Sequence, residues 1–242
     1  MRLSAPDRKK QVLEVATRLF AQQGYAATTT RQIAAECGVT EAILFRHFPS
    51  KEELYWDVIE TKRASRGFLE KLKEILESNM SPMDVCIAIA KDRLERNFGD
   101  PTMTRLLLFS TLENHELSYR FYRNFIAEYH EHLVEYIEKQ ISGGVFRPVD
   151  PLLAARSFLA MIFYHFLIQE LFGAKRIHAF DPDRLSRHIA EIWLGGMLSS
   201  NEQRSQLPDF EEVFAGNFAR HHEDFRRETS ESLKENEKIA SS

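Results

Sequence analysis

Thr40, Glu41, Ala42 and Ile43 open a short apolar-polar stretch, and Phe45, Arg46, His47 and Lys51 follow within three turns. Their chemistry is that of contact with nucleic acid. Glu41 can accept from a cytosine amine, and Ala42 or Ile43 can touch a thymine methyl. Arg46 can bond a guanine edge or a phosphate, while His47 and Lys51 suit phosphate positioning. Thr30 and Arg31 stand at the start of the preceding stretch, where backbone N–H groups also attract phosphate. An arginine on an exposed helix is more often a solvated charge, so the reading depends on the elements around it. Glu41, facing phosphates, can equally act as a selectivity filter or turn to solvent.

Those elements are legible. Thr29 with Gln32 three residues later forms a capping box that starts a helix carrying Ile33, Ala34 and Cys37. Gly38 breaks it, and Thr40 can cap a third helix bearing Leu44, Phe45 and Phe48. Ala34, Gly38 and Leu44 stand where a helix-turn-helix needs a small residue, a left-handed turn and an apolar lock. Before them, Val12, Ala16, Leu19 and Phe20 make an amphipathic stripe on a helix starting near Asp7 and ending at Gly24. Pro49 stops the third helix, and Ser50 with Glu53 caps a long helix expected over 51–77.

The remaining pattern stays helical. Helices are expected from Ser81-Pro82 to about Gly99, over 102–112, 117–141, 151–172 and 183–198. No strand-like alternation of useful length occurs, so the fold class is all-α: an N-terminal three-helix helix-turn-helix unit over 1–52 and a helical domain over 53–200. Beyond it, Phe210, Phe214, Phe218, His221 and Phe225 share one helical face, placing an amphipathic helix and disordered tail in 201–242.

Net charge is −4, from 32 Lys+Arg against 36 Asp+Glu, which looks wrong for a DNA binder until it is divided. Residues 1–55 carry +2, residues 56–200 carry −2, and residues 201–242 carry −4. Two cysteines, Cys37 and Cys86, make no disulfide framework, and Cys37 reads as a helix-packing residue. With charges from the N-terminus onward and no apolar leader, a cytoplasmic location is expected. The apolar run at 157–169 is thirteen residues between Arg156 and Glu170, short of the roughly 18 a spanning helix needs, so no membrane partner is expected.

Enzyme chemistry finds little support, with no G-x-S-x-G, G-x-G-x-x-G or Walker A motif. His115-Glu116 and His130-Glu131-His132 lack the second histidine of a zinc H-E-x-x-H, since Tyr119 and Val134 stand there. Neither metal nor cofactor is expected. Glu128 and His132 share a helix face, as an ordinary i,i+4 pair.

With the Phe20/Gly24-Tyr25 stretch, the threonine run, GVTEAILFRHF and the PSKEEL exit, residues 8–55 resemble the TetR family of bacterial transcriptional regulators. The family usually has Tyr at the position of Phe45, and Phe45 lacks the hydroxyl that would reach a phosphate. The resemblance implies a homodimer on a palindromic operator of double-stranded DNA, with half-site centres about 34–36 Å apart. It also implies a second domain that binds a small effector and dimerises. Phe109, Tyr122, Phe125, Tyr129, Phe158 and Ile162 are candidates to line its pocket. A sparsely charged lining of this kind suits an apolar or amphipathic ligand. Phe158, Ile162, Phe166 and Gln169, with Leu185, Ile189, Ile192, Trp193 and Gly196, are candidates for the dimer interface. Gly195-Gly196 allows close helix approach or simply ends the helix. The expected function is a repressor released by its ligand. A regulator using ligand as co-repressor, and a helical interaction adaptor without specific DNA binding, are the alternatives.

Overall fold

A computed structural model describes residues 4–64, 67–113 and 116–198, and every regular element among them is helical. Helix α1, Ala5–Ala27, begins one turn earlier than Asp7: Ser4 is the cap, accepting from the Asp7 N–H at 3.3 Å. Asp7 then lies in the first turn, where its charge favours the helix dipole. Gly24, at φ 85°, interrupts its last turn. Helices α2, Thr30–Glu36, and α3, Glu41–His47, follow. The Thr29 hydroxyl accepts from the Gln32 N–H at 3.1 Å, and the Gln32 carbonyl oxygen accepts from the Thr29 N–H at 2.9 Å, closing the expected box. Gly38 turns the chain at φ 65°, and the Val39 N–H returns to the Ala34 carbonyl at 2.9 Å. Thr40 begins α3 without a side-chain cap bond.

The single helix expected over 51–77 is instead two, α4 (Lys51–Ala64) and α5 (Phe68–Leu76). Gly67 accounts for the division, because it sits left-handed at φ 54° and caps α5. Helices α6 (Pro82–Gly99) and α7 (Thr102–Leu112) lie close to their expected bounds. The stretch expected over 117–141 comprises α8 (Glu116–Phe121), a π-turn at Tyr122–Ile126 and α9 (Ala127–Ser142). Helix α10, Pro151–Phe166, continues through a second π-turn, Leu167–Leu171, and α11 spans Pro182–Met197 under an Asp181 cap. The phenylalanine stripe at 210–225 lies outside the described residues.

Two apolar cores organise these helices. The first joins Val12, Ala16 and Phe20 of α1 to Ile33, Leu44 and Phe48, and then to Tyr55 and Val58 of α4 and Met103 and Leu106 of α7. The second packs α5, α6, α9, α10 and α11 around Leu72, Ile89, Leu133, Phe158 and Trp193. The indole N–H of Trp193 donates to the Ala154 carbonyl at 3.1 Å, and its ring lies 5.1 Å from Phe158.

This second core corrects the expected dimer face. Phe158, Ile162, Phe166, Gln169, Leu185, Ile189 and Trp193 are buried inside the chain itself, so they have no surface to offer a partner. Of the nine candidates only Ile192 and Gly196 are exposed. The opposite stripe of α10 presents Leu153 at 60% and Tyr164 at 60% exposure, and on α11 Ile192 is 55% exposed. Helix α10 with its extension is long and apolar enough to span a membrane, at 21 residues and mean hydropathy 1.6. It is instead split lengthwise between a stripe in the core and an apolar stripe left open.

Candidate nucleic-acid interface and effector cavity

The first core fixes the angle between α2 and α3 and leaves the outer face of α3 open. Ala34 and Leu44 are buried at the crossing, whereas Thr40, Ala42, Ile43, Phe45 and Arg46 are exposed. Ile43 and Phe45 are large apolar groups facing water at 37% and 42% exposure on a seven-residue helix. Arg31 is exposed beside them, and His47 is half-buried. Glu41 is held within the head, where its Oε2 accepts the Thr30 hydroxyl at 2.7 Å and ties α3 to α2. Lys51 is seated rather than free, with Nζ 4.2 Å over the Tyr25 ring and 3.5 Å from the Ala26 carbonyl, and burial lowers its pKa.

Arg8 went unrecognised in the sequence. Its guanidinium donates to the Cys37 carbonyl at 3.2 Å, placing a cation at the C-terminus of α2. Such a contact spans 29 residues and leaves no local pattern. Burial raises the Cys37 thiol pKa, which keeps it a protonated packing group.

The reading head is bolted to α7. Arg105 Nε–H donates to the Ala21 carbonyl at 2.7 Å, and Glu113 accepts the Ala26 N–H at 2.9 Å. The Tyr55 hydroxyl of α4 donates to the Leu106 carbonyl at 2.6 Å, and burial drives its pKa far up. Gly24 makes the α1–α7 approach possible: a Cβ there would collide with Glu113 Oε1 and meet Phe109 Cδ1 at 3.0 Å. On α8, Arg120 donates to Glu53 at 3.2 Å and lies 3.9 Å over the Trp56 ring.

The other side of α7 faces a cavity of about 890 Å³, open on part of its surface and lined also from α4, α5, α6, α8, α9 and α10. Leu107, Leu108, Phe121, Ile126, Leu159, Ile162 and Phe163 supply its apolar wall. Of the expected lining, Tyr129 and Ile162 are present. Phe109 packs against α1 at Gly24 instead, and Phe158 is sealed in the second core. Tyr122 is exposed, its hydroxyl accepting from Arg156 at 3.0 Å. Phe125 falls within the π-turn, but its side chain lies outside the described residues.

The expectation of a sparsely charged lining is corrected, because Arg63, Arg93, Arg156, Glu70, Glu128 and His130 all border the cavity. They come from five helices, so no sequence window displays them together. Burial, then Arg156 and Arg93, holds the His130 pKa below its usual value. The Ile126 carbonyl, one turn earlier, pulls the other way without closing a hydrogen bond to His130 Nδ1.

A small helix-turn-helix head, joined to a helical body that carries a ligand-sized cavity, defines a DNA-binding transcriptional regulator. Comparison with known proteins agrees. Residues 12–58 match the family described as bacterial regulatory proteins, tetR family, and residues 101–193 match the AefR-like transcriptional repressor C-terminal domain. The HTH-type transcriptional regulator YvkB of Bacillus subtilis is 26% identical over 193 residues, covering 78% of this chain and 96% of its own. FadR from Bacillus subtilis, solved in complex with stearoyl-CoA, aligns with a TM-score of 0.64 at 17% identity, over 77% of this chain and 98% of that one. AibR, solved with isovaleryl coenzyme A and operator DNA, aligns with a TM-score of 0.57 at 25% identity, over 79% and 98%. The chain belongs to the TetR family of bacterial transcriptional regulators.

Proposed function

We propose that the protein is a homodimeric repressor of the bacterial cytoplasm that occupies a palindromic operator and leaves it when a small amphipathic ligand fills the cavity. The observation that carries this reading is the double duty of α7. Met103 and Leu106 sit in the core of the reading head, while Leu107, Leu108 and Thr111 border the cavity. A ligand pressing on one side of α7 moves α1 and α4 with it, and the separation of two reading heads changes. Release needs only that ligand bind the displaced state more tightly than the operator-bound one.

In this reading residues 1–52 read DNA, and residues 53–200 sense ligand and pair with a second copy. Arg31 and His47 position the head on phosphates; Thr30 can add only its backbone N–H, and Lys51 joins them only by leaving the Tyr25 ring. Thr40, Ala42, Ile43, Phe45 and Arg46 approach base edges, and Glu41 holds the reading helix in register through Thr30. Pairing covers the open stripe of Leu153, Tyr164 and Ile192, which would otherwise remain apolar in water. The complexes of AibR and FadR with acyl-coenzyme A molecules support an effector that combines an apolar arm with a polar head. A genome-wide binding footprint tests the reading: a few strong palindromic sites near promoters are expected, and uniform salt-sensitive coating of DNA would refute it.

A further inference from the structure

Three nitrogen-bearing side chains border the cavity, on α6, α10 and α9. Arg93 of α6 is stacked between two rings, with its guanidinium carbon 4.9 Å from the Phe68 centroid and 4.6 Å from that of Tyr129. Stacking uses the faces of a guanidinium and leaves its in-plane N–H donors as its remaining bonding capacity. Arg156 of α10 spends one N–H on the neutral Tyr122 hydroxyl at 3.0 Å. His130 Nδ1 on α9 is buried without a hydrogen bond.

These groups act on one another. Both guanidinium charges disfavour protonation of the His130 imidazole, so α6 and α10 aim positive potential at the part of α9 that carries it. The acids of the cavity do not cancel it. Glu128 is engaged by Arg63 at 3.9 Å and by Lys73 at 4.0 Å, and Glu70 is exposed. Arg93 is half-buried and Arg156 exposed, and both border the apolar wall of the cavity, where their remaining N–H donors can pair with an anion.

We infer that Arg93, Arg156 and His130 form the subsite for the anionic head of the effector, whose apolar arm lies along Leu107, Leu108 and Ile162. The ligand class is an amphipath bearing a carboxylate or phosphate, and a neutral amphipath of equal chain length is a poor substitute. This rests on the effector-cavity reading above and narrows it. Arginine suits the role because its planar fork pairs with carboxylate or phosphate oxygens two at a time.

The test is calorimetric titration of the full-length protein with octanoate, octanoyl-coenzyme A and 1-octanol, repeated on Arg93→Met and Arg156→Met, with operator affinity measured in parallel. At least one anionic probe should bind about tenfold or more tightly than 1-octanol, as expected for a charge-assisted hydrogen bond. That preference should collapse in both variants. Octanoate leading identifies a free acid as the source, and octanoyl-coenzyme A leading identifies the phosphates of a thioester. Equal binding of alcohol and both anions by the wild-type protein overturns the inference without any reliance on variants. If all three also release operator, the effector-cavity reading survives while the anion subsite falls. If an anion is preferred but operator affinity does not change, the subsite stands and the release mechanism falls. Binding of no probe overturns the subsite.

Discussion

Arg105 on α7 donates its Nε–H to the main-chain carbonyl of Ala21 on α1 at 2.7 Å, across 84 residues of sequence. The bond joins a helix that borders the cavity to the helix on which the reading head is built. With Glu113 on Ala26 and Tyr55 on Leu106, it makes the head and α7 one mechanical unit. Arg105→Met and Glu113→Gln should therefore uncouple ligand from operator, leaving each binding event near its normal strength. Fluorescence anisotropy with labelled operator, with and without ligand, checks this; undiminished release in the double variant would mean that coupling runs elsewhere.

Gly24→Ala should be strongly destabilising, by roughly 1–3 kcal/mol. It demands a left-handed φ of 85° from a residue with a Cβ, which would also strike Glu113. Urea denaturation gives the value directly. An unchanged midpoint would show that the α1–α7 junction relaxes freely.

Arg46→Ala should weaken specific operator binding by about 1–3 kcal/mol if the side chain reads a base, with preference relaxed at one position. A phosphate contact would instead weaken all sequences alike and reduce the salt slope. Competition binding against single-base operator variants separates the two. Identical affinity and salt dependence would remove Arg46 from the interface.

Leu153→Glu combined with Ile192→Glu should give folded monomers, because both side chains belong to the open stripe. Phe158→Ala should act differently, costing about 3–5 kcal/mol of fold stability through a cavity in the chain's own core. Light scattering and thermal melts read both effects. A dimer surviving the glutamates would place the partner on another face.

His130 and His165 should make the fold sensitive to acid. Burial lowers both pKa values below 6.5, aided by Arg156 at His130 and by His188 at His165. The unfolded chain thus takes up these protons first, and stability should fall as pH drops through and below about 6.5. Urea midpoints measured from about pH 7.5 to about pH 5.0, the range over which histidine titrates, test the sign. His130→Gln should flatten the slope, and a midpoint rising toward acid would contradict it.

The reading head was legible because its determinants are local. Thr29 and Gln32, Ala34, Gly38 and Leu44 lie close together in the chain, on helices too short to have a second apolar face. Helix α10 is apolar all round, so period alone could not tell the stripe of Phe158 and Ile162 from that of Leu153 and Tyr164. The stripe of Phe158, Ile162 and Phe166 went inward, and it carries no hydroxyl that needs a partner. The cavity was obscured for the opposite reason. Arg93, His130 and Arg156 look like solvated charges on three separate helices, and only packing brings them together. Gly67 was legible as a glycine but not as a break, because its neighbours carry helical spacing on both sides.

Reciprocity offers the most direct test of whether cavity and operator are linked: the affinity of the tighter-binding anionic probe, octanoate or octanoyl-coenzyme A, measured with and without saturating operator. If the two sites are coupled through α7, operator must weaken the probe by the same factor by which the probe weakens operator, typically about 5- to 150-fold. Equal probe affinity in both titrations would show that the cavity does not control DNA binding.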